Sequence, residues 1–332
     1  MVARSAHPRS AHLGVRLALA AIVLFGGEAA FAQGTFPNRP VTIVAPTGPG
    51  SVPDTLPRLL SEKLKARWNQ PVVIENKAGA TGNIAAEFVY RAAPDGHTLL
   101  SAFPGPVAIN QHLFARLNFD PAALTAITVA TTAPNVLAVN PAVKAASLQE
   151  LIALAKAEPE KLAYASPGIG GTPHLAMEML KVAAGINVRH VPYPRGLTAA
   201  ILDVVAGNVD MVFGNLTDVL PQVQGGRLRA LAVGSAGRLQ ELPGVPAAAE
   251  TFPGFLNDAF YAFVAPPGTP PDIVNAINAD VVATLREGEI AARLKTLGLT
   301  VVANTPAQAT AFIQAESRRW RDIIVKADIK GQ

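Results

Sequence analysis

The feature that most constrains this chain is a repeated alternation. Short runs rich in β-branched residues end in Gly- and Pro-containing loops, and each loop opens into a stretch of helical spacing. Val41, Thr42, Ile43 and Val44 form one such run. It enters a loop at 46–53, after which Leu56, Leu59, Leu60, Leu64 and Trp68 recur at helical intervals, with Asp54 placed to cap the start. A second strand is expected at 72–75, then a Gly-rich turn, a helix over 83–92 and a third strand at 98–101. Parallel strands need long crossovers, so strand–helix–strand repetition implies parallel sheets with helices on their faces.

The middle of the chain repeats the logic, with strands expected at 136–139, 162–165, 188–191, 211–213 and 228–233. Helices are expected at 147–157, capped by Ser147, at 173–183, and between the strands at 188–191 and 211–213. Past 251 come a strand at 260–264, helices at 272–286 and 289–297, and a long helix after Thr305. Phe312, Ile313, Trp320, Ile323 and Ile324 line one side of that helix; Trp68 and Trp320 are expected in the core, and Asp203 in solvent. At 332 residues the chain exceeds one hydrophobic core. The expectation is two α/β lobes, one from 33–132 plus 252–332 and one from 133–251, with crossings near Ala133 and Thr251. That arrangement leaves a cleft between lobes, where ligands bind at strand carboxyl ends.

The N-terminus has a separate reading. Arg4, Arg9 and Arg16 precede an apolar run at 17–25, and Ala30, Phe31 and Ala32 follow as a small-x-small signature. These are the three regions of a secretory signal peptide, with cleavage expected after Ala32. The run at 17–25 is about half the ~20 residues of a spanning helix. Without the leader, basic and acidic side chains nearly balance, and no run of Lys and Arg exceeds two, which argues against a nucleic-acid face. The chain has no cysteine, so disulfides, thiolate metal sites, a catalytic thiol and a lipidated N-terminal cysteine are all excluded. An exported chain of this kind is expected free in its compartment, not membrane-embedded, and monomeric.

No GxSxG, GxxxxGK, HExxH or GxGxxG pattern is present, and His97, His112, His174 and His190 lack metal-ligand spacing. No cofactor, metal or catalytic set is expected. What stands out is a pair of strand-to-helix loops. The first carries Thr47, Gly48, Gly50, Ser51 and Asp54; the second carries Ser166, Gly168, Gly170, Thr172 and His174. A helix N-terminus offers unpaired N–H groups and a positive dipole end, and glycine lets that backbone approach an anion. One such loop per lobe would grip the two ends of a small diacid, although Gly- and Pro-rich turns of this kind are also ordinary loops in α/β folds. A third loop, 76–83, has the same placement and contributes Thr81. Further candidates are Phe103 as an apolar wall, Arg195 as a carboxylate partner and Asn215 at a strand end.

Taken together, these segments resemble the substrate-binding receptors of tripartite tricarboxylate transporters, the Bug family, over 36–330. The resemblance is carried by Arg39-Pro40-Val41 leading into the first loop, Gln70 to Asn76 with the 79–83 turn, and Ala93-Pro94-Asp95-Gly96. It continues in Tyr164-Ala165-Ser166 with the 168–174 loop, His190-Val191-Pro192-Tyr193, 228–233 and Ala265-Pro266-Pro267-Gly268-Thr269-Pro270. It implies a two-lobed periplasmic-binding-protein (flytrap) fold, a small organic acid as ligand, and a large and a small membrane subunit as partners. In similar proteins the loops matching 46–54 and 166–174 hold a carboxylate. This sequence departs from the family at Thr47, where an aromatic is usual, at Ser51, where a second glycine is usual, at His97, and in an extra residue at 194–196. Ser51 is expected to donate a hydrogen bond to the ligand. A ligand sensor of the same fold is the alternative, and a periplasmic enzyme the weakest reading.

Overall fold

The structure, a computed structural model, describes residues 1–2, 36–193 and 196–329. The expected signal peptide with its cut after Ala32, and the candidate Arg195, lie outside the described residues. From Phe36 onward the chain forms one compact unit.

The strands are β1 (Val41–Ala45), β2 (Val72–Asn76), β3 (Thr98–Ala102), β4 (Thr125–Val139), β5 (Ala163–Ser166), β6 (Arg189–Pro192), β7 (Met211–Asn215), β8 (Arg229–Val233), β9 (Asp258–Ala265) and β10 (Thr300–Val301). The helices are α1 (Val52–Trp68), α2 (Asn83–Tyr90), α3 (Leu148–Ala157), α4 (Thr172–Ala184), α5 (Leu197–Val205), α6 (Leu216–Gln224), α7 (Pro271–Leu285), α8 (Gly288–Thr296) and α9 (Pro306–Lys326). They dress a sheet of order β2-β1-β3-β9-β4-β7-β5-β6, with β8 and β10 pairing with β4. β1 lies parallel to β2 and β3, and β5 parallel to β6 and β7, as expected for crossover units. Between these two groups β4 and β9 run antiparallel.

The 15-residue β4 is the structural spine. Its residues from Thr125 to Pro134 pair with β9, and those from Asn135 to Val139 pair with β7. Sequence reading found only its last four residues, because the Thr- and Ala-rich start has little apolar bulk. Each half of the sheet has its own cores. Leu60, Ile277 and Phe263 lie in one cluster of the first lobe, Trp320, Phe260 and Val264 in the other. Tyr164, Met177 and Phe213 fill one cluster of the second lobe, Val136, Ile201 and Val212 the other. Leu175 of α4 crosses over to join the first lobe's core. Trp68 and Trp320 are buried as expected.

Local choices agree with the chain. Ser147 caps α3 by accepting from the Glu150 N–H. Thr305 and Gln308 form a capping box at α9. Asp54 does not cap α1; Ser51 occupies that position and Asp54 sits inside the first turn. Asp203 is not simply solvated either, since it accepts from the Tyr193 hydroxyl at 2.6 Å.

At the seam between lobes the side chains are polar and buried. Asn135 donates its amide to the Asn257 side chain, and Asn257 donates to the Thr172 carbonyl at 3.3 Å. Both residues are fully buried. Asn257→Ala removes a partner from Asn135 and from the start of α4, and is expected to cost about 1–3 kcal/mol. Urea unfolding of the variant should show that loss; an unchanged midpoint would remove the seam from the account of stability.

Candidate functional site

The first Gly-rich loop follows β1 directly and ends at α1. Asp54 is buried and its carboxylate is saturated by local donors. The Gly50 N–H donates to it at 2.9 Å, Arg58 Nε at 2.8 Å and Asn76 Nδ2 at 2.8 Å. Burial pushes the Asp54 carboxyl up, but these hydrogen bonds outweigh it and hold the group below the usual carboxylate range. Asn76 Nδ2 also donates to the Thr47 carbonyl at 2.9 Å, which ties the loop to the end of β2. Asp54 therefore shapes the loop from beneath.

The hydroxyls of this loop are engaged as well. Ser51 Oγ donates to the Gly48 carbonyl at 3.0 Å and is hydrogen-bonded to Thr47 Oγ1. A hydroxyl has one proton, so Ser51 donates to a ligand only by releasing Gly48. Gly48 and Gly50 are exposed, and a Cβ added at either meets nothing within 4 Å.

The second loop follows β5 and ends at α4. Ser166 is fully buried, accepts from the Gly168 N–H at 3.1 Å and lies 2.7 Å from His190 Nε2. Gly168 and Gly170 have φ of +132° and +87°, a region glycine enters without the Cβ penalty. His174 packs 4.6 Å from the His190 ring and accepts from the Gly170 N–H at 3.4 Å. Its imidazole is pushed down to about 4, chiefly by burial and then by His190 and Lys181, with Glu178 opposing. His190 is lowered by burial in the same way. His174 is thus a neutral support under the loop.

The third turn joins the two. Thr81 adopts φ +50° and its carbonyl accepts from Asn110 Nδ2 at 3.0 Å. Phe103 packs so closely on Gly82 that an added Cβ there would lie 2.9 Å from its ring. On the other side, Gly170 faces the same segment: its Cβ would lie 2.7 Å from Leu113 Cδ1 and 3.8 Å from Asn110 Oδ1. The loops are therefore linked in series, from 46–54 through Asn76 and the 79–83 turn to Asn110 and the second loop. Asn215 stands apart, opposite Asn135 in the β4–β7 register, where it begins α6 and donates to Asp218 at 3.4 Å.

Arg58, Asn110, Leu113 and His190 were missed as site residues. The Asp54–Arg58 pair has i,i+4 spacing, a signal readable in sequence. The other three meet the loops only through tertiary structure.

A family model described as tripartite tricarboxylate transporter family receptor matches residues 56–329. The chain belongs to that receptor family. BugT of Bordetella pertussis is 33% identical over 312 residues, 93% of this chain and 95% of BugT. Among solved structures, R. palustris Rpa4515 with adipate has a TM-score of 0.84 at 32% identity, over 90% of this chain and all of that one. MatC (Rpa3494) from Rhodopseudomonas palustris with bound malate has a TM-score of 0.80 at 31% identity, over 87% of this chain and all of that one.

Gly170→Ala puts an L side chain at φ +87° against Leu113, and is expected to cost roughly 1–2 kcal/mol. Gly48→Ala, in open space, should stay within about 0.5 kcal/mol; equal effects in urea melts would contradict this. For pH, an imidazole lowered in the fold binds fewer protons than in the unfolded chain. Stability should then be full above pH 6.5 and fall as pH drops from 6.5 toward about 4. His174→Gln should flatten that slope relative to the parent, and an unchanged slope would exclude His174 as its source.

Proposed function

We propose that this receptor is exported to the periplasm, closes two lobes over a small carboxylate-bearing molecule and delivers it to a large and a small membrane subunit of a tripartite transporter. The observation that carries the reading is the placement of one Gly-rich strand-to-helix loop in each lobe, at the carboxyl ends of β1 and β5. In that position helix N-termini present backbone N–H groups to an anion. The ligands named for Rpa4515 and MatC, adipate and malate, are both diacids and support it. The partner subunits are inferred from the family description. Among the described residues no helix is long and apolar enough to cross a membrane.

The mechanism is lobe closure about the points where the chain crosses between lobes, near residues 133 and 251. Lobe 1 comprises 33–132 with 252–332, and lobe 2 comprises 133–251. A ligand drives closure only through its preference for the closed form. The carboxylate binds the loop of one lobe and the other loop completes the cage. Residues 47–51 and 168–172 supply the cage, with Thr81 and Phe103 beside it.

A thermal-shift screen of the mature protein, stripped of carried-over ligand by partial unfolding and dialysis, tests this reading. Di- and tricarboxylates, acidic amino acids, aromatic acids and neutral analogues form the panel. A cognate acid at ~100 times its Kd should stabilise by about 2.7 kcal/mol. Stabilisation by neutral analogues alone would sink the anion reading.

A further inference from the structure

A cavity of about 310 Å³ opens in the first lobe, and no residue of either Gly-rich loop lines it. One wall is a single face of α9, with Thr310, Ile313, Gln314, Ser317, Arg318 and Arg321 at helical spacing. The floor is apolar and comes from the core of the lobe. Ala126 and Val264, paired in register across β4 and β9, are buried there with Val107, and Leu124 stands beside them. The helix itself is docked on the same core through Ala309, Trp320 and Ile324, and the cavity opens beside that packing, between this face of α9 and the Ala126–Val264 pair.

The mouth has the opposite character. Arg318 and Arg321 are exposed at its edge. Arg321 pairs at 3.0 Å with Asp322, and both are more than half exposed, so the pair is weak. Arg318 has no ion pair among the described residues. His112 also lines the cavity, with Nε2 2.9 Å from Ser317 Oγ. Gln111 also donates to Ser317, so the polar groups on this side are already engaged.

An apolar floor under two guanidinium groups suits a molecule with one anionic end and one greasy body. We propose that this cavity is a second binding site, for a monocarboxylate with an apolar tail of medium length. The tail lies on Val107, Leu124, Ala126 and Val264, and the carboxylate meets Arg318 and Arg321. The volume corresponds to about ten liquid-water volumes and falls at the small end of ligand pockets, roughly 300–1,000 Å³. The site differs in chemistry from the inter-lobe loops. Those offer backbone N–H groups and hydroxyls, whereas here charge comes from side-chain cations and most contact area from hydrocarbon.

The test is a ¹³C-methyl NMR titration of the mature protein with octanoate, with 1-octanol as the neutral control. The methyls of Ile313, Leu124 and Val264 should move saturably with octanoate. The double variant Arg318→Gln/Arg321→Gln changes exposed side chains only and should weaken octanoate by about tenfold or more, since hydrogen bonds to charged groups are the strong ones. Octanol should bind the parent and the double variant alike. Ile313→Trp should fill the cavity and abolish the shifts. The proposal is overturned if those methyls do not respond, if the arginine variant binds octanoate as tightly as the parent, or if the shifts appear instead at Ile109 and Leu113 beside the second Gly-rich loop.

Discussion

The pairing of β4 with its successive partners is the constraint on which the rest depends. A buried strand of 15 residues must satisfy its backbone N–H and C=O groups along its whole length. Its first part does so on β9 and its last five residues on β7 and β8. The two lobes are in this sense opposite ends of one sheet, sharing a strand that neither can release. The partner change falls at Pro134 and Asn135. Proline has no N–H to donate, so Pro134 gives the ladder no donor at this point. The neighbouring side chains Asn135 and Asn257 are polar and buried, which gives the junction directional bonds in place of interchangeable apolar packing.

The shared strand also explains where the loops are found. β1 and β5 are each flanked by two parallel neighbours, so each ends in a loop that climbs from the sheet into a helix. With the sheet continuous, the segment after β3 reaches across to the loop after β5, and Gly170 meets Leu113. Leu175 entering the first lobe's core strengthens the same contact. This edge is therefore an apolar contact between the two halves of the sheet.

Much of this was legible before any coordinates. Runs such as Val41 to Val44 and Met211 to Phe213 carry β-branched or bulky apolar residues bounded by loop residues, and they are strands. Ser147, expected to cap a helix because its hydroxyl can accept from the first turn, does so. The failures have physical causes. The first ten residues of β4 are largely Thr and Ala, and a buried central strand has no alternation to betray it. Helix α6 has Pro221 inside it and starts straight after β7, without a Gly loop to announce it. Asp54 was read as a cap because acids favour helix starts, yet Ser51 holds the N-cap position without a side-chain cap bond and Asp54 accepts from the Gly50 N–H behind it. Asn110 and His190 meet their loops only through tertiary packing.

The Asp54 arrangement bears on how a loop with a buried acid can face a carboxylate. Left unpaired, that charge would repel the ligand. It is instead enclosed by Arg58, Asn76 and the Gly50 N–H, so its field is spent inside the loop and the Arg58 cation offsets it. On the proposed reading, what the loop would offer a ligand is backbone dipoles and not a net charge. Fixed dipoles discriminate by geometry, because each N–H must meet an oxygen at a set position. The acid and its cation thus fix the loop's shape, and on the proposed reading that shape would select the ligand.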